Sequence, residues 1–414
     1  MAAKIKQIYS REILNSKGNP TIETTVILND SSTGVSSCPS GTSVGSYEAV
    51  ELKDTTTGSV QTAIDNIKNQ IAPRLVGIEA DKQQEIDKIM IDLDGTQNKA
   101  RLGANAILSV SMSVAKAAAE SSVLPLFLYL REFVKKENVP LKIPTPAFNL
   151  INGGVHGDNN MNFQEFLLIP ASSKSYTQAL GIGTSIYQSL RKTLETNNLT
   201  RLVGDEGGYG PTLATNLDVF SILKQAIEAT PLRIGFDVFF GLDVAANNFF
   251  VEGKYHLKDR AIPFSSNELI SYYEDLNKNF NLLYLEDPLS QDDWEGWANL
   301  SSKMGATVIV GDDLTATNPY RLQMALDKKS ITGIVIKPNQ IGTVIESLAV
   351  VEIARQSGLK IVVSHRSGET NDDFIADFAV ATSADYVKFG APARGERVAK
   401  YNRLSQIENQ LKLL

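Results

Sequence analysis

Three carboxylates close short apolar runs: Asp243 in GLDV, Glu286 in LLYLED and Asp312 in TVIVGDD. Acids brought together repel and shift one another's pKa unless a cation sits between them. An all-oxygen ligand set favours magnesium over zinc or copper. Any one of them reads equally well as a helix-entry residue at a strand–helix turn. Three on consecutive runs favour the metal.

The next runs end on Lys337 (GIVIKP), His365 (IVVSHR) and Lys388 (DYVKFG). A lysine at the exit of a buried strand is costly without partners or a task. A metal and a second cation nearby would disfavour the ammonium and lower its pKa, as a general base requires. His365, Arg366 and Ser367 offer a fork of donors and a hydroxyl suited to phosphate or carboxylate. Asn152 to Asn160 is a polar, glycine-bearing segment holding His156, with Gln164 and Glu165 just after it. In VGDEGGYGP, Glu206 is a loop carboxyl that could stay protonated beside metal-bound acids and serve as an acid. His256 has no such company and reads as structural or exposed.

These residues need a scaffold that gathers strand ends. The runs recur about 25 residues apart, the length of one strand plus one helix, which points to a parallel sheet closed as a (β/α) barrel. The C-terminal ends of barrel strands are where catalytic groups collect. Ahead of them, Ile5–Tyr9, Thr21–Leu28 and Gly34–Cys38 read as an antiparallel meander, and Val60 to Glu120 turns helical. Asn105–Ala119 is small and apolar almost all round, a buried helix. Strands then helices make an α+β N-terminal domain. Three prolines between Val139 and Pro146 mark a boundary, giving units 1–138 and 139–414. The segment 39–47 reads as a mobile lid loop.

Bulk properties narrow the partners. A net charge of -7 with no basic block argues against nucleic acid or an anionic membrane as the main partner. The single cysteine, Cys38, excludes an intrachain disulfide and a cysteine zinc cluster. No run reaches the ~20 apolar residues of a membrane span, and the first residues lack a signal core. A cytoplasmic enzyme is expected, with cell-surface or secreted copies still compatible.

NSKGNPTIE, PSGTSVGSYEA, NGGVHGDNN, QEF, VGDEGGYGP, LDVAA, EDPLSQDDW, GDDLTATN, NQIGT, SHRSGET and GAPARGER follow one another in the order seen in enolases. The chain resembles that family over essentially its whole length. The resemblance implies an α+β domain followed by an enolase-type (β/α)8 barrel. It also implies reversible dehydration of 2-phosphoglycerate to phosphoenolpyruvate with two magnesium ions. Lys337 would be the base, and Glu206 the acid assisted by Glu165. Asp243, Glu286 and Asp312 would hold the first metal, and Ser40 would help hold the second. Arg366 and Ser367 would grip phosphate and Lys388 the carboxylate side, with His156, Gln164 and His365 lining the pocket. A homodimer, perhaps assembling further, would be usual.

Several positions depart from the family pattern. Asn15, Ser16 and Lys17 stand where Asp-Ser-Arg is usual, a change expected to touch subunit packing more than chemistry. Val44 and Tyr47 replace Thr and His in the lid, Pro338 a valine and Phe389 a threonine. Two other readings stay open. One is a Schiff-base aldolase using Lys337 or Lys388. The other is a binding protein on the same scaffold, for example for plasminogen, although the chain ends Lys412-Leu413-Leu414 rather than on lysine.

Overall fold

The computed structural model describes residues 2–41, 45–134, 139–157 and 161–413. Val44 and Asp158 to Asn160, singled out above, lie outside the described residues, as does Asn138 at the expected boundary.

The meander forms as β1 (Ile5–Leu14), β2 (Pro20–Leu28) and β3 (Thr33–Ser37), antiparallel in that order. β1 runs on past Tyr9 because Ser10 to Leu14 pair with Thr24 to Pro20. The turn between them closes on Asn15, whose Oδ1 accepts from the backbone N–H of Lys17 and Asn19. The helix Ala104–Ser121 lies against β2 and β3 and is buried almost all round, as its composition implies. Its close approach needs Gly34, where a Cβ would fall 1.9 Å from Ser113 O. The helical stretch ahead of it is less regular than its periodicity suggests. A π-helical turn, Ile67–Ile71, follows Gln61–Asn66, just before Pro73 opens the next short helix.

The second unit is a nine-stranded, nearly closed barrel. Its strands are β4 (Thr145–Pro146), β5 (Phe148–Asn152), β6 (Glu165–Pro170) and β7 (Val238–Asp243). A small hairpin of β8 (Phe250–Val251) and β9 (Lys254–Tyr255) stands apart. β10 (Leu282–Glu286), β11 (Val308–Gly311), β12 (Gly333–Ile336), β13 (Lys360–Ser364) and β14 (Tyr386–Lys388) complete the sheet, in the order β4-β14-β13-β12-β11-β10-β7-β6-β5.

From β7 round to β4 all pairings are parallel. β6 is antiparallel to both neighbours, which the even spacing of the later units did not reveal. The reason is connectivity: β5 and β6 form a hairpin. Two helices, Tyr176–Thr196 and Asn216–Glu228, then separate β6 from β7, so the chain re-enters from the opposite end.

Side-chain alternation divides the core. Val335, Val362, Val310, Leu167, Ile169 and Tyr284 fill the barrel interior. Ile334 and Ile336 point the other way, into the large cluster shared with the helices. The interior plug leaves the strand C-termini as the open mouth.

Candidate active site

Asp243, Glu286 and Lys388 are the last residues of β7, β10 and β14, while Asp312, Lys337 and His365 come one residue after β11, β12 and β13. All six therefore face the same mouth. A polar cavity there is lined by His156, Gln164, Glu165, Glu206, Asp243, Asp312, Lys337, His365, Arg366, Ser367 and Lys388. Glu286 lies just beneath, fully buried. Ser40 is not brought in. Its hydroxyl donates to Glu51 Oε1 at 2.6 Å and accepts from Lys53, and its backbone pairs with Gly368.

The lysines hold the carboxylates. Lys388 Nζ lies 2.8 Å from Asp243 Oδ2 and 2.7 Å from Glu286 Oε1, and Lys337 Nζ bonds Asp312 Oδ2. Burial pulls Lys337 down, but Asp312 outweighs it and holds the ammonium above its ordinary range. The lowered lysine expected from the sequence requires a cation to engage Asp312, the group that holds Lys337 charged. Arg366 and Lys388 do act in the expected direction, but the direct carboxylate contact is stronger. Lys388 likewise stands well above its usual value, burial being outweighed by its three acidic neighbours.

The acid side is a cluster of His156, Glu165 and Glu206. His156 Nδ1 is 3.5 Å from Oε1 of each glutamate. Glu165 is pushed up to about 7 by burial and then by the charge on Glu206. For Glu206, burial is opposed by the His365 and His156 rings and by the Arg397 guanidinium, which favour its charged form. Both glutamates share the His156 ring, so the pair titrates together and holds a proton between them. His256 is exposed and away from the cluster.

Carboxylates outnumber cations at this mouth, and Glu286 is pushed well up by burial and then by Asp243. Glu165 Oε2 is buried without a hydrogen bond. The carboxylate oxygens of Asp243, Glu286 and Asp312 fit a hard divalent cation. Among the described residues, the clusters whose ligand atoms lie within 4.8 Å of one another are His156–Glu165–Glu206 and Asp287–Asp312–Asp313. Asp243 and Glu286 belong to neither because both turn to Lys388.

Sequence reasoning missed four supporting residues. Glu48 takes the Arg366 guanidinium with two contacts. Asp287, buried at φ +41, accepts from the backbone N–H of Asp312 and Asp313 at 2.9 and 2.8 Å and so fixes the neighbouring strand end. Asn149 donates to Glu206 Oε2 at 3.2 Å, and Arg397 reaches His365. Glu48, Asp287 and Arg397 sit inside recognisable motifs, SYEA, EDP and GER, which was the only available signal.

Among the described residues, Lys17, Tyr47, Pro338 and Phe389 each find a place. Lys17 pairs with Asp205, next to Glu206, so it is engaged at the barrel mouth within its own chain. Tyr47 stacks under Arg321 and donates to Asp292. Pro338 opens a 3-10 turn and leaves Lys337 extended at φ -129, as a residue before proline prefers. Phe389 is buried against Tyr401.

Comparison with known proteins identifies the family. The family model for the enolase N-terminal domain matches residues 5–130, and that for the enolase C-terminal TIM barrel domain matches residues 140–413. The enolase of Acidothermus cellulolyticus is 45% identical over 414 residues, covering 99% of this chain and 95% of that protein. The chain therefore belongs to the enolase family, the metal-dependent lyases of glycolysis that interconvert 2-phospho-D-glycerate and phosphoenolpyruvate.

Proposed function

We propose that Lys337 removes the proton from C2 of 2-phosphoglycerate and that Glu206 protonates the C3 hydroxyl as it leaves. The carrying observation is that one cavity is lined by Lys337, after β12, and by Glu206 with His156 and Glu165, on the β5–β6 side of the sheet. Loss of the C2 proton leaves an electron pair that forms the C2–C3 double bond. The C3–O bond breaks, and the proton from Glu206 completes a water molecule. Glu165 shares that proton as its store. Arg366 and Ser367 take the phosphate, and His156, Gln164, His365 and Lys388 position the rest.

Asp243, Glu286 and Asp312 would hold one magnesium ion, and Ser40 would join a second after leaving Glu51 and Lys53. Divalent charge at the substrate carboxylate would offset the negative charge that builds there when the proton leaves. Engaged with a cation, Asp312 would no longer hold Lys337 in its charged form. A Schiff-base reading is disfavoured because the chain matches the enolase family over both domains and Asp243, Glu286 and Asp312 crowd the rim lysines. The resemblance also supports a cytoplasmic homodimer built from units 1–138 and 139–414, with the break falling between the two family matches. No described helix is long and apolar enough to cross a membrane.

The test is appearance of the enol product's ultraviolet absorbance from 2-phosphoglycerate. It should need magnesium, stop with a chelator and return on adding the metal back. Turnover that is indifferent to chelation would overturn the metal assignment.

A further inference from the structure

We infer that Arg397 is a positioning residue that sets the tautomer of His365 and thereby decides which oxygen of Glu206 carries the proton. Arg397 stands in the first turn of the helix Gly395–Leu411 and is fully buried. Its Nη1 lies 2.7 Å from His365 Nδ1 and donates to Arg366 O at 2.6 Å. Its Nη2 donates to Ser367 O at 2.6 Å and Asp205 O at 3.2 Å. All four Nη hydrogens are thereby used. One side chain ties the loop bearing Arg366 and Ser367 to the loop bearing Glu206.

An arginine in a protein is always a donor and never an acceptor. His365 Nδ1 must therefore be the bare, accepting nitrogen, and the ring proton of the neutral imidazole sits on Nε2. That Nε2 is 3.2 Å from Glu206 Oε2 and has no other partner among the described residues. The contact is off the ideal line, as catalytic hydrogen bonds often are before substrate tightens them. Asn149 Nδ2 also donates to Oε2. With two donors aimed at it, Oε2 is an acceptor. Oε1, on the side of His156 and Glu165, is the oxygen left to hold and deliver the proton. Without Arg397 the proton could move to Nδ1, and a bare Nε2 would face the carboxylate.

The inference rests on Glu206 as the proton donor. The decisive measurement needs no variant: nitrogen-15 NMR of the full-length protein with labelled histidine, which has only three such residues to assign. The expected result is neutral His365 with the proton on Nε2 and bare Nδ1. A proton on Nδ1 overturns the inference. Arg397→Met should shift the ring toward the Nδ1–H form and lower kcat by at least about tenfold with a smaller change in KM. Arg397→Lys should restore the Nε2–H signal in part. In a His365→Ala background the same Met substitution should cost little more. An equal cost in both backgrounds would mean that Arg397 only holds loops together. If Glu206 is not the donor, Glu206→Gln keeps its turnover while the tautomer stays as expected, so the two failures are separable.

Discussion

Arg366 and Glu48 meet across the two halves of the chain as a buried, two-pronged pair, with Nη1 2.8 Å from Oε2 and Nη2 3.3 Å from Oε1. A guanidinium held this way takes a phosphate in the same two-pronged geometry only if Glu48 gives way. Substrate therefore competes with an internal anion. Glu48→Gln should leave the buried arginine poorly compensated and cost the free protein about 3 kcal/mol. Phosphate or 2-phosphoglycerate would replace the missing charge. The ligand-induced rise in Tm should then exceed that of the wild type in thermal denaturation. An equal rise would mean that Glu48 and ligand do not share the arginine.

The two halves of the reaction should separate by mutation. Lys337→Ala should cut turnover by about 10²- to 10⁴-fold and abolish exchange of the C2 proton with heavy water. Glu206→Gln should cut turnover comparably yet leave that exchange running, because its base is intact. NMR of recovered 2-phosphoglycerate measures the exchange. Loss of exchange in both variants would sink the division of roles.

Away from the site, Asp87 makes stability depend on pH. It is buried in the helix Gln83–Asp94, accepts from Gln83 Nε2 and, across the domain contact, from the Ile345 N–H. Burial pushes it from 3.8 up to about 7. Below pH 4 both folded and unfolded chains hold its proton, and its full contribution is present. Between pH 4 and 7 the unfolded chain releases the proton first, so stability is lost as pH rises, by about 4 kcal/mol at most. Denaturant titrations of the wild type minus Asp87→Asn should show this fall over that window. A difference that is flat, or that grows with pH, would contradict it.

How much of this could be read from the sequence depends on the range of the interaction. Asp243, Glu286, Asp312, Lys337, His365 and Lys388 were legible because strand ends repeat regularly and their side chains differ in kind from the runs they close. The burial of Ala104–Ser121 was legible from composition for the same local reason. The antiparallel setting of β6 was hidden, since it follows from two helices standing where later units have one. Glu48 and Arg397 were hidden because their partners are distant in sequence, Glu48 meeting Arg366 and Arg397 meeting His365 and Asp205. The sharing of a proton between Glu165 and Glu206 was hidden because it depends on side chains that meet only in the fold. The Lys17 pair with Asp205 was hidden because a surface turn carries no sign of a partner so distant in sequence.

Gly390 is the position where a single methyl group would test how tightly the acid is held. Its φ is +84, and a Cβ would lie 2.7 Å from Glu206 O, 3.0 Å from His365 Cε1 and 3.1 Å from Arg397 Cδ. The backbone cannot slide away. Gly390 O accepts from Tyr401 OH at 2.7 Å and from Asn149 N, while Ala391 N donates to Glu206 O at 2.9 Å. The added methyl must therefore push Glu206 and His365 themselves. Gly390→Ala should cost about 1 kcal/mol for the left-handed backbone and a further ~1–3 kcal/mol for overpacking. In kinetics, kcat should fall more than KM rises. Gly358→Ala is the control, since Gly358 has φ +75 and nothing within 4 Å of its added Cβ. It should carry the backbone cost alone with unchanged turnover. If both variants turn over alike, the close packing around Glu206 does not govern the chemistry.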